Sequence, residues 1–224
     1  MKRAIVVAIS VILALVVAAP IASGQSSSQG KNLGKGQNLG KLTGDWWNWA
    51  VSTNPSPLEE GGDPCGGNFV DGVFFLGGSF TDVPVTRTCT VPANTPILFP
   101  VVNYACGAAP TIPDGHGGFT GDPKPYNKCA QGPIDQIALN STMIATLNEQ
   151  PLEIQRLESG PFTLTNPSPR STLLPNAPPG SYKSWASGFW VYLPQGLEPG
   201  THTLHWSVSG GFTQDITYIL TVVD

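Results

Sequence analysis

Apolar and polar residues alternate along several stretches of the chain, and alternation with a period of two residues predicts β-strands. In residues 83–91 the odd positions from Val85 onward are valine, arginine, cysteine and valine, whereas the even positions between them are threonines. Residues 212–223 alternate in the same way and place these side chains on one face: Phe212, Ile216, Tyr218, Leu220 and Val222. Both stretches predict strands that bury one face and expose the other.

Apolar runs and turn residues predict further strands. Residues 69–78 are apolar on both faces, which is typical of a central strand, and the turn GGSFTD after them suggests a hairpin with the next strand. Residues 97–102 form another strand, which Pro100 confines to a sheet edge or a bulge. The stretch MIATLNEQPLEIQ predicts a hairpin whose Leu152 and Ile154 face inward. The closing strands are predicted at residues 189–193, 201–209 and 212–223.

Two stretches have helical spacing instead. In DWWNWAVST, Asp45 is a suitable N-cap, and Trp46, Trp49 and Ala50 fall on one helix face. In GPIDQIALNST, Pro133 suits the first position of a second short helix. We therefore expect one or two short helices beside the strands.

These elements predict an all-β fold: a single two-layer antiparallel β-sandwich, immunoglobulin-like or jelly-roll-like, over residues 44–224. The 22 prolines and 26 glycines fit a strand-rich domain with many turns. Two long loops rich in glycine and proline interrupt the strands, at residues 104–132 and 166–180.

The N-terminal residues have the layout of a secretory signal peptide over residues 1–24. Two basic residues precede an uncharged apolar run, and the small residues Ala22, Ser23 and Gly24 follow it. An uncleaved membrane anchor is the alternative. Residues 25–43 contain GKNLGK followed by GQNLGK and predict a flexible linker. We expect a secreted protein, extracellular or periplasmic, without a membrane span in the mature chain.

The four cysteines predict two disulfide bonds, because an even number in an exported chain favours bridges over thiols. Their spacing contains no Cys-x-x-Cys pair, which disfavours zinc. Three pairings are possible. We favour Cys106 with Cys129, at the two ends of the first long loop, and Cys65 with Cys89.

The net charge excludes nucleic acid as a partner. From Gly44 onward the chain has six basic and fifteen acidic residues, and so acidic a body does not attract nucleic acid.

Arg87 lies on an otherwise apolar face, and we expect it to pair with a carboxylate or to lie at the margin of the sheet.

Catalytic motifs are few. The chain has no G-x-S-x-G, H-E-x-x-H, P-loop or dinucleotide fingerprint. In PDGHGGFTGD, the side chains of Asp114, His116 and Asp122 could bind a structural calcium ion or form a His–Asp pair; the alternative is a solvated turn. No other cofactor is expected. In LEEGGD, three acidic residues suggest glycoside hydrolysis, a calcium site or, alternatively, a solvated loop: Glu59, Glu60 and Asp63.

The two other histidines lie in HTLHW, where their odd separation places His202 and His205 on opposite faces of a strand. We expect His202 near the core and His205 exposed. Four aromatic residues form the most suggestive surface: Tyr182, Trp185, Trp190 and Tyr192. Exposed rings of this kind contact sugars and protein partners. The alternative is that both strand faces are buried, in the sandwich or under the N-terminal helix.

The stretches DWWNWAV, RTCTVPANTPILFPVVN and GFWVYLPQGLEPGTHTLHWSV resemble a group of secreted microbial proteins of unknown function, and LEPGTHTL with ITYILTVV resembles the closing hairpin of bacterial immunoglobulin-like domains. Neither resemblance implies catalytic residues. Our leading hypothesis is a non-catalytic module that binds a glycan or an envelope protein. The alternatives are an extracellular hydrolase with a loop-borne acidic or histidine site, and a surface-layer or filament subunit.

Overall fold

The computed structural model describes residues 38–65, 69–107, 124–167, 169, 171–174 and 177–224. Two helices occur in this part of the chain, α1 (Leu39–Ser52) and α2 (Lys124–Asn140). Its strands are β1 (Phe69–Val70), β2 (Val73–Phe75), β3 (Val85–Pro92), β4 (Ile97–Gly107), β5 (Ser141–Leu147), β6 (Gln150–Pro151), β7 (Gln155–Asn166), β8 (Gly180–Leu193), β9 (Gly200–Gly210) and β10 (Gln214–Val223). No helix of these described segments is long and apolar enough to cross a membrane.

The strands form two five-stranded sheets that pack face to face, which confirms the all-β sandwich. Sheet A has the order β1-β2-β4-β8-β7, and sheet B has the order β3-β10-β9-β5-β6. Most neighbours are antiparallel, but β2 runs parallel to β4 and β3 runs parallel to β10. The chain therefore crosses between the sheets after β2, because β3 belongs to sheet B.

The predicted faces of the strands are confirmed. Cys89 and Val91 of β3 and the alternate residues of β10 point into the inter-sheet core, while the threonines of β3 are exposed. Three large rings fill the middle of this core. Phe99 packs against Trp206 at 4.6 Å between ring centroids, and Trp206 stacks on Tyr218 at 5.4 Å.

Helix α1 covers the outer face of sheet A. Trp46 and Trp49 are buried there with Leu98 and Trp190, whereas Phe99, the neighbour of Leu98, faces the inter-sheet core. The indole of Trp46 donates a hydrogen bond to the carbonyl of Leu76 at 2.9 Å. Sheet A is consequently apolar on both faces, because a helix covers one and sheet B covers the other.

The helix begins earlier than its sequence predicts. Its N-cap is Asn38, whose side chain accepts a hydrogen bond from the Lys41 amide at 3.2 Å, and not Asp45. Leu39 and Leu42 are buried against sheet A. The predicted boundary of the linker at residue 43 is therefore wrong, and residues 39–43 belong to the folded domain. The predicted signal peptide, like residues 25–37 of the linker, lies outside the described residues.

Two predicted turns are corrected. Residues 69–78 are not one strand, because Asp71 and Gly72 take positive φ angles of 52° and 78° and turn β1 back onto β2. The predicted hairpin between this segment and β3 is also wrong, since the two lie in different sheets. Pro100 is accommodated as expected, beside a bulge in the pairing of β4 with β8.

Helix α2 also begins earlier than predicted, so that Pro133 lies inside it rather than at its first position. The described residues of the predicted loop 104–132 consequently belong to regular elements: residues 104–107 to β4 and residues 124–132 to α2. The hairpin β5–β6 is confirmed, and Leu152 and Ile154 pack against the inter-sheet core. Strand β8 extends the predicted strand 189–193 back to Gly180.

Both predicted disulfide bonds are present. Cys65 pairs with Cys89 and Cys106 pairs with Cys129, with Cα–Cα distances of 5.6 Å and 5.9 Å. The first bridge attaches the loop after α1 to β3, and the second attaches α2 to β4. All four cysteines are therefore structural.

Candidate functional site

The predicted aromatic surface is not an exposed platform. Trp190 is fully buried under α1, where its ring meets Trp46 edge to face at 5.5 Å. Tyr182 is also buried, and its hydroxyl donates a hydrogen bond to the Pro178 carbonyl. Trp185 and Tyr192 are half-buried. The binding prediction for this cluster is therefore wrong for Tyr182 and Trp190, and the alternative of burial under the N-terminal helix is confirmed for Trp190.

The acidic stretch after α1 holds its own loop together. The carboxylate of Glu59 accepts hydrogen bonds from the Ser56 amide at 3.2 Å and from the Thr172 hydroxyl. Asp63 accepts a hydrogen bond from the Cys65 amide at 2.9 Å. Glu60 is exposed. Two of the three acids are therefore engaged with neighbouring residues, as in the solvated-loop alternative.

Among the described residues, no group of three or more histidine, cysteine or acidic side chains could hold a metal ion. The candidate ligands Asp114, His116 and Asp122 lie outside the described residues, so the calcium site in that loop stays a prediction.

A second group of charged residues joins α2 to the edge strand β7. Arg156 contacts Asp135 at 2.5 Å and Glu158 at 3.9 Å, and its guanidinium lies 6.0 Å from the ring centre of Phe189. Gln131 donates from its amide to both carboxylate oxygens of Glu158, at 2.9 Å and 2.8 Å. We interpret this group as an attachment for α2.

Arg87 finds backbone partners instead of the expected carboxylate. Its Nη1 donates to the carbonyl oxygens of Pro57 at 2.9 Å and Gly77 at 3.3 Å, and to the Tyr218 hydroxyl at 3.2 Å. Tyr218 in turn donates to the Gly77 carbonyl at 2.7 Å. Burial raises the pKa of Tyr218 to about 12, although Arg87 opposes this effect. The arginine therefore serves to hold two loops against β3 and β10.

The histidines of β9 lie on opposite faces, as predicted. His202 is half-buried, with Nε2 2.9 Å from the Glu198 carbonyl and Nδ1 3.1 Å from the side-chain amide of Asn148. His205 lies on the outer face, where Nε2 is 3.0 Å from Oδ1 of Asp215. The side chain of His205 is 29% exposed and that of Asp215 is 43% exposed, so both are accessible to a ligand.

The outer face of sheet B carries many hydroxyl side chains, and we call it the hydroxyl face. Alternation puts the following threonines there: Thr86, Thr88 and Thr90 on β3, Thr217 and Thr221 on β10, Thr201 and Thr203 on β9, and Thr142 and Thr146 on β5. Ser207 and Ser209 of β9 lie on the same face. Ile144, Ile219 and Val223 lie among them, with Ile144 and Val223 47% and 43% exposed, and strand pairing places Ile219 between Thr88 and Thr203.

The register shows how regular the hydroxyl face is. One row across the sheet consists of Thr90, Thr221 and Thr201, and a second row contains Thr86, Thr217, His205 and Thr146. Neighbouring strands are about 4.8 Å apart, and successive outward residues of a strand are about 6.7 Å apart. Along these four strands, all of whose residues the structure describes, Asp215 is the acidic side chain of this face, and no lysine or arginine lies on it.

Sequence reasoning identified the exposed threonines of β3 but did not assemble this face. The signal is present in the alternating stretches VTRTCTVP, THTLHWSVS, DITYILTVV and STMIATL, which all place hydroxyls opposite apolar residues. The hydroxyls of β3 and β10 become neighbours because these two strands pair, although they are far apart in the sequence. No local sequence pattern indicates this pairing.

Comparisons with known proteins add little to this geometry. No family model matches the chain, and no curated protein matches it. Among solved structures, the chain is similar to a family 123 glycoside hydrolase from Clostridium perfringens that acts on glycolipid glycans, with 10% sequence identity and a TM-score of 0.24. The match covers 62% of this chain and 23% of that enzyme. A TM-score this low carries no argument about fold or activity.

Proposed function

We propose that the protein is an exported, disulfide-bonded binding or cell-envelope module without catalytic activity, and that it contacts its partner through the hydroxyl face. The observation that carries this proposal is the contrast between the two sheets. Helix α1 covers the outer face of sheet A, whereas the outer face of sheet B presents threonine and serine hydroxyls, one histidine–aspartate pair and the apolar side chains of Ile144, Ile219 and Val223.

Two further observations support the proposal. Two disulfide bonds are typical of proteins that fold outside the reducing cytoplasm, which agrees with the expected signal peptide. Of the three acidic residues that suggested hydrolysis, Glu59 and Asp63 accept local hydrogen bonds that hold their own loop together.

The proposal is tested by measuring retention of glycans and envelope proteins on the immobilised full chain. Thr203→Glu places a charge in the middle of the hydroxyl face. Ser181→Glu is the matched control, because Ser181 is exposed on β8 of sheet A. We expect wild type and the control to retain the partner, and Thr203→Glu to lose about tenfold in affinity, which corresponds to 1.4 kcal/mol.

Several outcomes contradict the proposal. Equal affinity of Thr203→Glu and wild type, with both variants folded by circular dichroism, would exclude the hydroxyl face as the contact surface. Release of sugar or peptide products during incubation would show a hydrolase. Ordered self-association into sheets or filaments, seen by electron microscopy, would favour the surface-layer alternative.

A further inference from the structure

We infer that the ligand of the hydroxyl face is a neutral, hydroxyl-rich polysaccharide that lies flat across β3, β10, β9 and β5. This inference rests on the proposed function and adds the chemical class of the ligand. Three properties of the face support it: its size, its charge, and the ordering of its hydroxyl groups.

The face is elongated. From Thr201 to Ser209 it extends about 27 Å along β9, and the axes of its four strands span about 14 Å. A polysaccharide segment of a few sugar rings fits this elongated footprint.

The chemistry of the face also matches sugar hydroxyls. Threonine and serine hydroxyls both donate and accept hydrogen bonds, and so does each hydroxyl of a sugar. The methyl groups of the threonines can pack against the C–H groups of sugar rings. Along the four strands no lysine or arginine points outward to pair with an acidic polymer, since Arg87 faces inward and is held by carbonyl oxygens. An acidic glycan is therefore disfavoured, and the acidic body repels it further.

The hydroxyl groups are ordered before a ligand arrives. Threonine is β-branched, so its χ1 angle is restricted, and β10 and β9 are each hydrogen-bonded to a strand on both sides. A surface that is already ordered loses less conformational entropy on binding. The free energies of many weak hydrogen bonds can therefore add up on this rigid hydroxyl face.

His205 and Asp215 provide the hydroxyl face with a hydrogen-bonding pair that can hold the ligand. His205 pairs in register with Thr217 of β10, and Asp215 lies one row further along, opposite Ser207. The Asp215 carboxylate can accept hydrogen bonds from ligand hydroxyls while Oδ1 contacts His205 at 3.0 Å. Hydrogen bonds to an ionised group are stronger than those between neutral groups, so this pair should contribute more than any single threonine.

Affinity electrophoresis of the full chain tests the inference. The gels contain a soluble neutral β-glucan, a neutral mannan, a polyuronate or chitosan. Asp215→Ala removes the anchor, and Glu60→Ala is its control, because Glu60 is exposed in the loop after α1. We expect a neutral polymer to retard wild type and Glu60→Ala equally. Asp215→Ala should bind about fivefold more weakly, as expected for one lost hydrogen bond, and Thr203→Glu about tenfold more weakly.

The outcomes separate this inference from the proposed function. Retention of a charged polymer or of an envelope protein, sensitive to Thr203→Glu, with no retardation by the neutral polymers, would overturn the ligand class and leave the proposed function standing. No retention of any polymer or envelope protein would overturn both. Binding of a neutral polymer that neither Thr203→Glu nor Asp215→Ala weakens would also overturn the inference, because the ligand would then lie elsewhere.

Discussion

The two disulfide bonds provide a matched test of what a bridge contributes to this fold. They span almost equal lengths of chain, with sequence separations of 24 and 23 residues. In the chain-entropy model, a loop of this size gives each bridge about 3.5 kcal/mol at 25 °C. Each bridge also has one buried cysteine, Cys89 with 5% exposure and Cys106 with 8%. The loss of packing on replacement is therefore matched as well.

We predict that the double variants Cys65→Ala/Cys89→Ala and Cys106→Ala/Cys129→Ala each lose about 3.5 kcal/mol of unfolding free energy and differ by less than about 1 kcal/mol. Urea unfolding followed by tryptophan fluorescence gives both values by linear extrapolation. Intact wild type should show no free thiol, and wild type treated with reductant should unfold like the variant that lacks all four cysteines.

Two results would refute this reasoning. If either double variant kept the stability of wild type, its bridge would not constrain the unfolded chain. If the two variants differed by more than about 2 kcal/mol, loop length would not be the dominant effect. Ligand affinity measured below the new melting temperature should be unchanged in both variants, because no cysteine lies on the hydroxyl face.

Three further predictions concern single residues. Burial raises the pKa of Tyr218 from 10.0 to about 12, so the folded state binds this proton at a higher pH than the unfolded state does, and the free energy of unfolding should fall between pH 10 and 12. Urea unfolding of Tyr218→Phe should lack this part of the pH dependence. Asn48 donates to the Thr163 carbonyl and accepts from the Thr165 amide at the free edge of β7, so Asn48→Ala should promote edge-to-edge dimers in gel filtration. Gly188→Ala places a Cβ 2.6 Å from the Val102 carbonyl oxygen and should cost about 1–3 kcal/mol in thermal unfolding, whereas Gly132→Ala in α2 meets open space and should not destabilise.

The sequence predicts the faces of strands well, because alternation is a local property. It predicts the partners of strands poorly. Thr88, Ile219 and Thr203 lie in one row across sheet B, yet they come from three distant stretches of the chain. The hairpin expected between β2 and β3 failed for the same reason, since a turn motif does not show that the chain changes sheets.

The start of α1 shows how composition can mislead. Glycine, asparagine and lysine in residues 25–43 indicated a flexible linker, but Gly40 of this stretch is a packing position, as is Gly44 just after it. A Cβ on Gly40 would lie 2.5 Å from the Glu158 carbonyl oxygen, and one on Gly44 would lie 2.9 Å from the ring of Phe162. Glycine here allows the helix to approach β7 closely, and only the tertiary structure distinguishes this role from flexibility.

The candidate site was difficult to predict for a related reason. Trp190 and Tyr182 have the composition of a sugar platform, but α1 and the loop before β8 cover them. Arg87 was expected to need a carboxylate, whereas backbone carbonyls serve it, and backbone partners leave no trace in a sequence. The hydroxyl face could be recognised only after the register of four strands was known.

The parallel pairing of β3 with β10 also has a consequence for how the protein is made. Tyr218 of β10 lies opposite Arg87 of β3, 131 residues earlier in the chain. Until β10 has been synthesised, β3 has no partner in sheet B, and the apolar face that carries Cys89 and Val91 stays uncovered. Contacts over such distances form slowly. Sheet B can therefore take in β3 only after the last strand of the chain is available, so that the closing of the sandwich at this edge is a late event in folding.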